Sequence, residues 1–180
     1  MDFYINDDTA WLRRAVRWVV NIVVAIACGW FLVYGFGEQV LISGNSMQPQ
    51  LSAQDVVLMN RIIYVTGTPD RFDVVVFERE DGKKNVKRII GLPGETVQIR
   101  DNRVYINGEP LKEDKMGEVS LAGRAADPVR LGEKEYFLLG DNRGSSEDSR
   151  FPNIGNVKRE QILGKVWFRM LPLLKLGFVS

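Results

Sequence analysis

The hydrophobic pattern changes character near residue 37. From Trp18 to Phe36 the chain reads WVVNIVVAIACGWFLVYGF, with Asn21 its only strongly polar member. About 19 residues at 1.5 Å each give roughly 30 Å of helix, the thickness of a bilayer's hydrocarbon core. Trp18, Trp30 and Tyr34 are amphipathic rings of the kind enriched at membrane interfaces. A cleaved leader would carry an apolar stretch of about 7–15 residues and then a small-residue exit. Here the run is longer, it continues into Phe36-Gly37-Glu38-Gln39-Val40, and its Ala25-Ile26-Ala27 triplet lies in the middle. The pattern predicts a retained transmembrane anchor over residues 15–37 rather than a leader or a buried core helix.

After residue 38 helical periodicity gives way to short runs rich in Val, Ile, Phe and Tyr, separated by turn residues. Strands are expected at 40–42, 56–59, 72–77, 85–90, 96–99, 104–106, 135–139 and 162–168. Asp81-Gly82 and Asn107-Gly108 are strong hairpin dipeptides, and Pro93-Gly94 marks another turn. Many short strands at close spacing predict a mainly β, antiparallel, barrel-like domain over residues 38–180. Residues 112–130 read as a polar surface excursion. Residues 141–156 hold turn formers throughout, and loops of that length in compact domains are often functional.

Charge orients the anchor. Arg13, Arg14 and Arg17 crowd its amino-terminal side, and no Lys or Arg follows the span until Arg61. The positive-inside rule places residues 1–14 in the cytoplasm and the β domain outside the plasma membrane. The single cysteine, Cys28, lies within the span, so the exterior part has no thiol to oxidise.

Composition then narrows the chemistry. The 180 residues carry 24 Lys+Arg against 23 Asp+Glu, a balance that argues against a nucleic-acid partner. With no histidine, a Ser-His-Asp triad, a Cys-His dyad and a His-ligated zinc are all ruled out. One cysteine permits neither an intramolecular disulfide nor a CxxC metal knuckle. No cofactor or metal is expected. A hydrolase built from this chain would take its base from Lys, Asp, Glu, Tyr or the amino terminus.

Three polar clusters could carry chemistry. Ser43-Gly44-Asn45-Ser46-Met47-Gln48-Pro49 follows the first exterior strand; it reads either as a plain turn or as a serine nucleophile on a tight turn. Lys87-Arg88 lies inside an expected strand, where alternation puts Lys87 on the face of Ile89, and Arg88 on the face of Val86 and Ile90. Such residues often snorkel at a surface. A lysine held among apolar neighbours instead loses charge readily and becomes a base, which arginine cannot. The third cluster, residues 140–150 (GDNRGSSEDSR), reads as a solvated loop or as an organiser of a site.

In order, S-G-x-S-M-x-P behind an anchor, K-R-x-x-G-x-P-G-E, and G-D-N-R-x-x-S-x-D-S-R resemble the bacterial signal peptidase I family over nearly the whole chain. RFDVVVF at 71–77 and GKVWFR at 164–169 resemble two further strands of that family. The resemblance implies a membrane-anchored serine endopeptidase that cleaves signal peptides from exported preproteins, in contact with the bilayer and close to the secretion translocon. It implies Ser46 as nucleophile, Lys87 as general base and Ser146 as the hydroxyl that orients the lysine. Arg88, Asp141, Asp148 and Arg150 are implied as charges that brace the site. Two positions depart from the common pattern: Gln50 stands where Thr is usual and Phe72 where Gly is usual. Gly44 stands where some members place a serine that helps bind the oxyanion. Other readings compatible with the sequence are a Ser/Lys protease dedicated to a narrow substrate such as a pilin or conjugation protein, and a non-catalytic membrane-tethered binding module. A self-cleaving repressor of the same fold is opposed by the span in residues 1–37.

Overall fold

The computed structural model describes residues 10–112, 114 and 116–179. The first nine residues of the expected cytoplasmic segment, and the side chain of Tyr34, lie outside the described part. Helix α1 (Ala10–Phe36) is apolar over Trp11–Phe31, long enough to cross a membrane, with none of that stretch buried. It starts upstream of the predicted boundary because Arg13, Arg14 and Arg17 are good helix formers and continue it.

The strands follow in order: β1 (Glu38–Leu41), β2 (Val56–Asn60), β3 (Val74–Glu78), β4 (Lys84–Gly91), β5 (Thr96–Arg100) and β6 (Arg103–Ile106). After the two-residue β7 (Glu109–Pro110) and β8 (Val129–Arg130) come β9 (Glu135–Leu139), β10 (Val157–Lys158), β11 (Ile162–Leu171) and β12 (Gly177–Phe178). A four-residue helix, α2 (Ile63–Thr66), follows β2. Every expected strand is present within a few residues of its predicted bounds.

The larger sheet runs β1-β2-β11-β3-β4-β9-β10, with β12 on β11, and every pairing is antiparallel. It curls. Glu38 at the start of β1 reaches Lys84 at the start of β4, four strands away in that order. The first five strands therefore form an open barrel with a gap between β1 and β4, not a closed one. Inside it pack Ile42, Met47, Leu51, Val57, Met59, Val74, Val76, Val166 and Val179. Strand β3 is buried on both faces, which explains its unbroken VVVF run in place of an apolar-polar alternation.

A second, four-stranded sheet, β7-β6-β5-β8, covers Ile90, Phe137 and Leu139 from the far side. Residues 112–130 are not the surface excursion expected from their polarity. Val119 and Ala125 are buried in this second core, and Leu121 and Gly123–Ala126 lie against the loop that follows β9. A few apolar side chains among many polar ones suffice to dock an irregular segment, and that leaves no periodic signal in the sequence.

Candidate active site

Ser46 stands on the turn that leaves β1. Met47 and Leu51, both fully buried, plug that turn into the barrel core, and Leu51 N–H donates to the Met47 carbonyl at 2.8 Å. The apolar residues flanking the polar cluster are what fix the serine in space. Lys87 lies on β4 in register with Val75 of β3. Its Nζ sits 2.8 Å from Ser46 Oγ, and the residue is only 4% exposed. Burial pulls its pKa down from the ordinary 10.5 to about 8. Asp148, Glu147 and Asp141 oppose that drop, while Arg79 reinforces it.

The neighbouring Arg88 points to the other face, as alternation requires. It donates from Nε and Nη2 to both oxygens of Asp141, each at 2.8 Å, and the pair is almost fully buried. Arg88 Nη1 donates to the Phe72 carbonyl at 2.7 Å, and Nη2 also reaches the side-chain oxygen of Gln50. Gln50, the departure from the usual threonine, thus supplies a further acceptor to the same guanidinium.

The loop after β9 folds around Arg150. Its guanidinium donates to Asp148 Oδ1 and Oδ2 at 2.8 and 2.9 Å, to the carbonyls of Leu121 and Arg143 at 3.0 and 2.8 Å, and to that of Ser146 at 3.2 Å. Asp148 Oδ2 in turn accepts the Gly140 N–H at 3.0 Å. A planar five-donor fork can gather that many acceptors at once; a lysine could not. The loop is tied to the nucleophile turn through Asn142, whose N–H donates to the Ser46 carbonyl at 3.0 Å and whose Nδ2 donates to that of Asn45.

The hydrogen bond to Lys87 that the resemblance implies for Ser146 is not formed in this structure. Ser146 Oγ is buried and makes no hydrogen bond among the described groups, to Lys87 or to any other. It lies instead against Gly140, where a Cβ would come within 2.1 Å of Ser146 Oγ and 2.5 Å of the Ser46 carbonyl oxygen. Lys87 Nζ is directed at Ser46, so the orienting bond is missing although the hydroxyl stands in the same wall. Gly44 lies on the nucleophile turn with open space around its Cα and offers no side-chain donor.

Sequence reasoning missed several participants. Arg143 is buried, donates from Nε to the Gly140 carbonyl at 3.1 Å, and grips both oxygens of Asp114 at 2.7 Å. Asp114 comes from the 112–130 segment, whose polar sequence carries no sign of its docking. Arg79 and Glu147 pair at 3.0 Å between the β3–β4 hairpin and the Ser146 loop.

A groove of about 340 Å³ opens beside the Ser46–Lys87 contact, lined by residues 38–44, 46, 47 and 84–87. Its walls are two strand edges. β1 ends the sheet, and β4 pairs with β9 only from Arg88 to Gly91, leaving Lys84–Lys87 unpaired on that side. Across four antiparallel pairings β1 and β4 run in the same direction. Among the described residues no group of His, Cys, Asp and Glu is arranged to hold a metal.

The family model described as signal peptidase, peptidase S26, matches residues 15–171. A probable signal peptidase I-2 of Synechocystis sp. is 32% identical over 96% of this chain and 79% of its own length. Signal peptidase I T of Bacillus subtilis is 34% identical over 87% of this chain and 86% of its own. Signal peptidase I of Bacillus caldolyticus is 33% identical over 92% and 96%. A solved signal peptidase I from Enterococcus faecalis is 35% identical, covering 55% of this chain and 97% of that one, with a TM-score of 0.47.

Proposed function

The chain belongs to the signal peptidase I family, peptidase S26, and on that premise we propose that Ser46 and Lys87 are the nucleophile and general base with which it cleaves. The family makes it a serine endopeptidase acting on preproteins that carry signal peptides. The observation that carries the residue assignment is the 2.8 Å contact between Lys87 Nζ and Ser46 Oγ, with the lysine buried and its pKa at about 8.

A neutral Lys87 accepts the Ser46 hydroxyl proton while Oγ bonds to the scissile carbonyl carbon. The carbonyl π pair moves onto oxygen, where the Ser46 backbone N–H acts as a donor to it. The lysine ammonium then gives its proton to the leaving amine as the C–N bond breaks, leaving an acyl ester on Ser46. Neutral again, Lys87 takes a proton from water, whose oxygen attacks the ester. Collapse of that second tetrahedral intermediate releases the acid and returns the proton to Oγ.

The groove fits an extended peptide. Two unpaired strand edges with free backbone groups accept a strand between them. Val40 and Val86 pack on the barrel core and form its floor, beside Ile42. That shallow apolar floor supports a preference for small residues one and three positions before the scissile bond.

α1 serves as the anchor, with its amino terminus in the cytoplasm and residues 38–180 outside the plasma membrane. Sharing a bilayer with the substrate raises its effective concentration. A lipid contact by the β domain is supported by the exposed Leu171, Leu173, Leu174, Leu176 and Phe178, on and beyond β11, next to the β2 strand that touches α1. The same placement supports proximity to the translocon. Detergent-solubilised protein incubated with a model preprotein should release the mature chain, and Ser46→Ala and Lys87→Met should not. Protease added to intact protoplasts should digest the β domain and spare the first residues.

A further inference from the structure

Lys84 and Glu38 face each other across the open side of the barrel. Their ion pair, 3.2 Å long, joins the two walls of the groove at the end nearest α1. Glu38 Oε2 also accepts Arg61 Nη1 at 2.9 Å, so one carboxylate is shared by two cations. Glu78 opposes Lys84 in register, on the β3 side away from the groove.

Both members of the pair are on the inner face. In register, Glu38 meets Met59 and Val40 meets Val57, while Val86 meets Val76; Met59, Val57 and Val76 all belong to the barrel core. Lys84 shares the face of Val86 by alternation. The floor of the groove therefore passes from the apolar Val40 and Val86 to a charged patch one pleat on, about 7 Å away.

A preprotein whose apolar segment lies in the membrane runs along this groove from the α1 end toward Ser46. Its inward side chains repeat every second residue. If residues one and three before the cut meet the apolar floor, residue five meets Glu38 and Lys84. An acidic side chain there takes Lys84 while Glu38 keeps Arg61. A basic one competes with both cations for a single carboxylate.

We infer that the Glu38–Lys84 pair is a specificity-determining subsite that favours an acidic over a basic side chain at the residue five before the scissile bond. The inference rests on the reading of the groove as the substrate site. Three model preproteins differing only in Glu, Gln or Lys at that position test it, with the full-length enzyme in detergent. In the wild type kcat/KM should favour Glu over Gln and Gln over Lys, by about two- to fivefold per step, the scale of an exposed ion pair. The Glu-to-Lys ratio should shrink toward one in 1 M salt, where the screening length is about 3 Å. Lys84→Gln should lower the ratio and Lys84→Glu should invert it. A wild-type ratio of one, or a ratio unchanged in both variants, overturns the subsite. Should Lys84→Glu fail to fold, the milder variant and the salt series decide alone. Failure of the wild type to cleave any of the three, or cleavage by Ser46→Ala, instead overturns the function on which the subsite depends.

Discussion

The carbonyl of Phe72 accepts a 2.7 Å hydrogen bond from Arg88 while Phe72 itself sits at φ 71°. The left-handed conformation lets its N–H meet the Ile89 carbonyl at 2.8 Å and its C=O turn to the guanidinium. This is the position where the family pattern expects glycine, and a bulky side chain there is strained by roughly 1–2 kcal/mol. The ring compensates by packing on the second core.

Removing the ring separates the two effects. Phe72→Ala loses the packing and keeps the strain; Phe72→Gly loses the packing and relieves it. Phe72→Gly should be the more stable of the two by about 1 kcal/mol, the reverse of the usual order of glycine and alanine in a folded segment. Urea unfolding of both variants measures this. Alanine as the more stable replacement would show that no strain is held at this position.

Ser146 predicts a split between stability and activity. Its buried Oγ has no partner among the described groups, and such a group costs about 1–3 kcal/mol. Ser146→Ala removes the cost without opening a large cavity, so the folded state should be as stable as the wild type or more so. Turnover should nevertheless fall by an order of magnitude or more, if rotation about χ1 swings the hydroxyl to Lys87 when substrate enters. Thermal unfolding and kcat on the same preparation are the readouts. Unchanged turnover would remove Ser146 from the mechanism.

How much of this was legible in the sequence follows from what each feature depends on. The strand over residues 135–139 was placed to the residue, and the opposite faces of Lys87 and Arg88 followed from alternation alone, because both are properties of one strand. The two-residue strands β7, β8, β10 and β12 were not legible. A two-residue pairing is chosen by the neighbour it meets and leaves no pattern of its own. Arg143 and Asp114 escaped for the same reason, since their bidentate pair joins two irregular segments. Gln50 was visible only as a departure; its bond to Arg88 exists because the β1–β2 connection returns across the face of β4. Glu38 and Lys84 each read as an ordinary surface charge until the curl of the sheet brought them together.

Gly44 offers a gain-of-function test. The space around its Cα is open and its φ is not left-handed, so a serine can be built there without a clash. Gly44→Ser would place a hydroxyl two residues before the nucleophile, on the wall of the groove. A donor that reaches the developing oxyanion acts in the transition state and not in the ground state, so kcat should rise with KM little changed. Stability should stay within about 0.5 kcal/mol, the usual range for a surface substitution. A fall in kcat with the fold intact would show that the oxyanion forms away from this wall.

Lys87 ties activity and stability to pH in the same sense. As the base it must be neutral, so kcat/KM should rise with pH and level off above an apparent pKa of about 8. Stability follows the proton count. Below about pH 8 the lysine is charged in both states and the full burial penalty is felt. Between about 8 and 10.5 the unfolded chain holds the extra proton, so this penalty fades as pH rises. Above 10.5 it is gone. The difference between the two pKa values corresponds to at most about 3 kcal/mol, offset by about 1 kcal/mol for the contact with Ser46. Lys87→Met keeps the apolar stem and discards the charge. It should be inactive, yet more stable than the wild type by about 1–2 kcal/mol at pH 7, with the gap closing toward pH 10.5. Because other lysines and tyrosines titrate in that range, the quantity to follow is the difference between variant and wild type at each pH, from urea unfolding. A variant that is less stable than the wild type at pH 7, or a gap that widens with rising pH, would mean that Lys87 is held charged in the folded enzyme and cannot be its base.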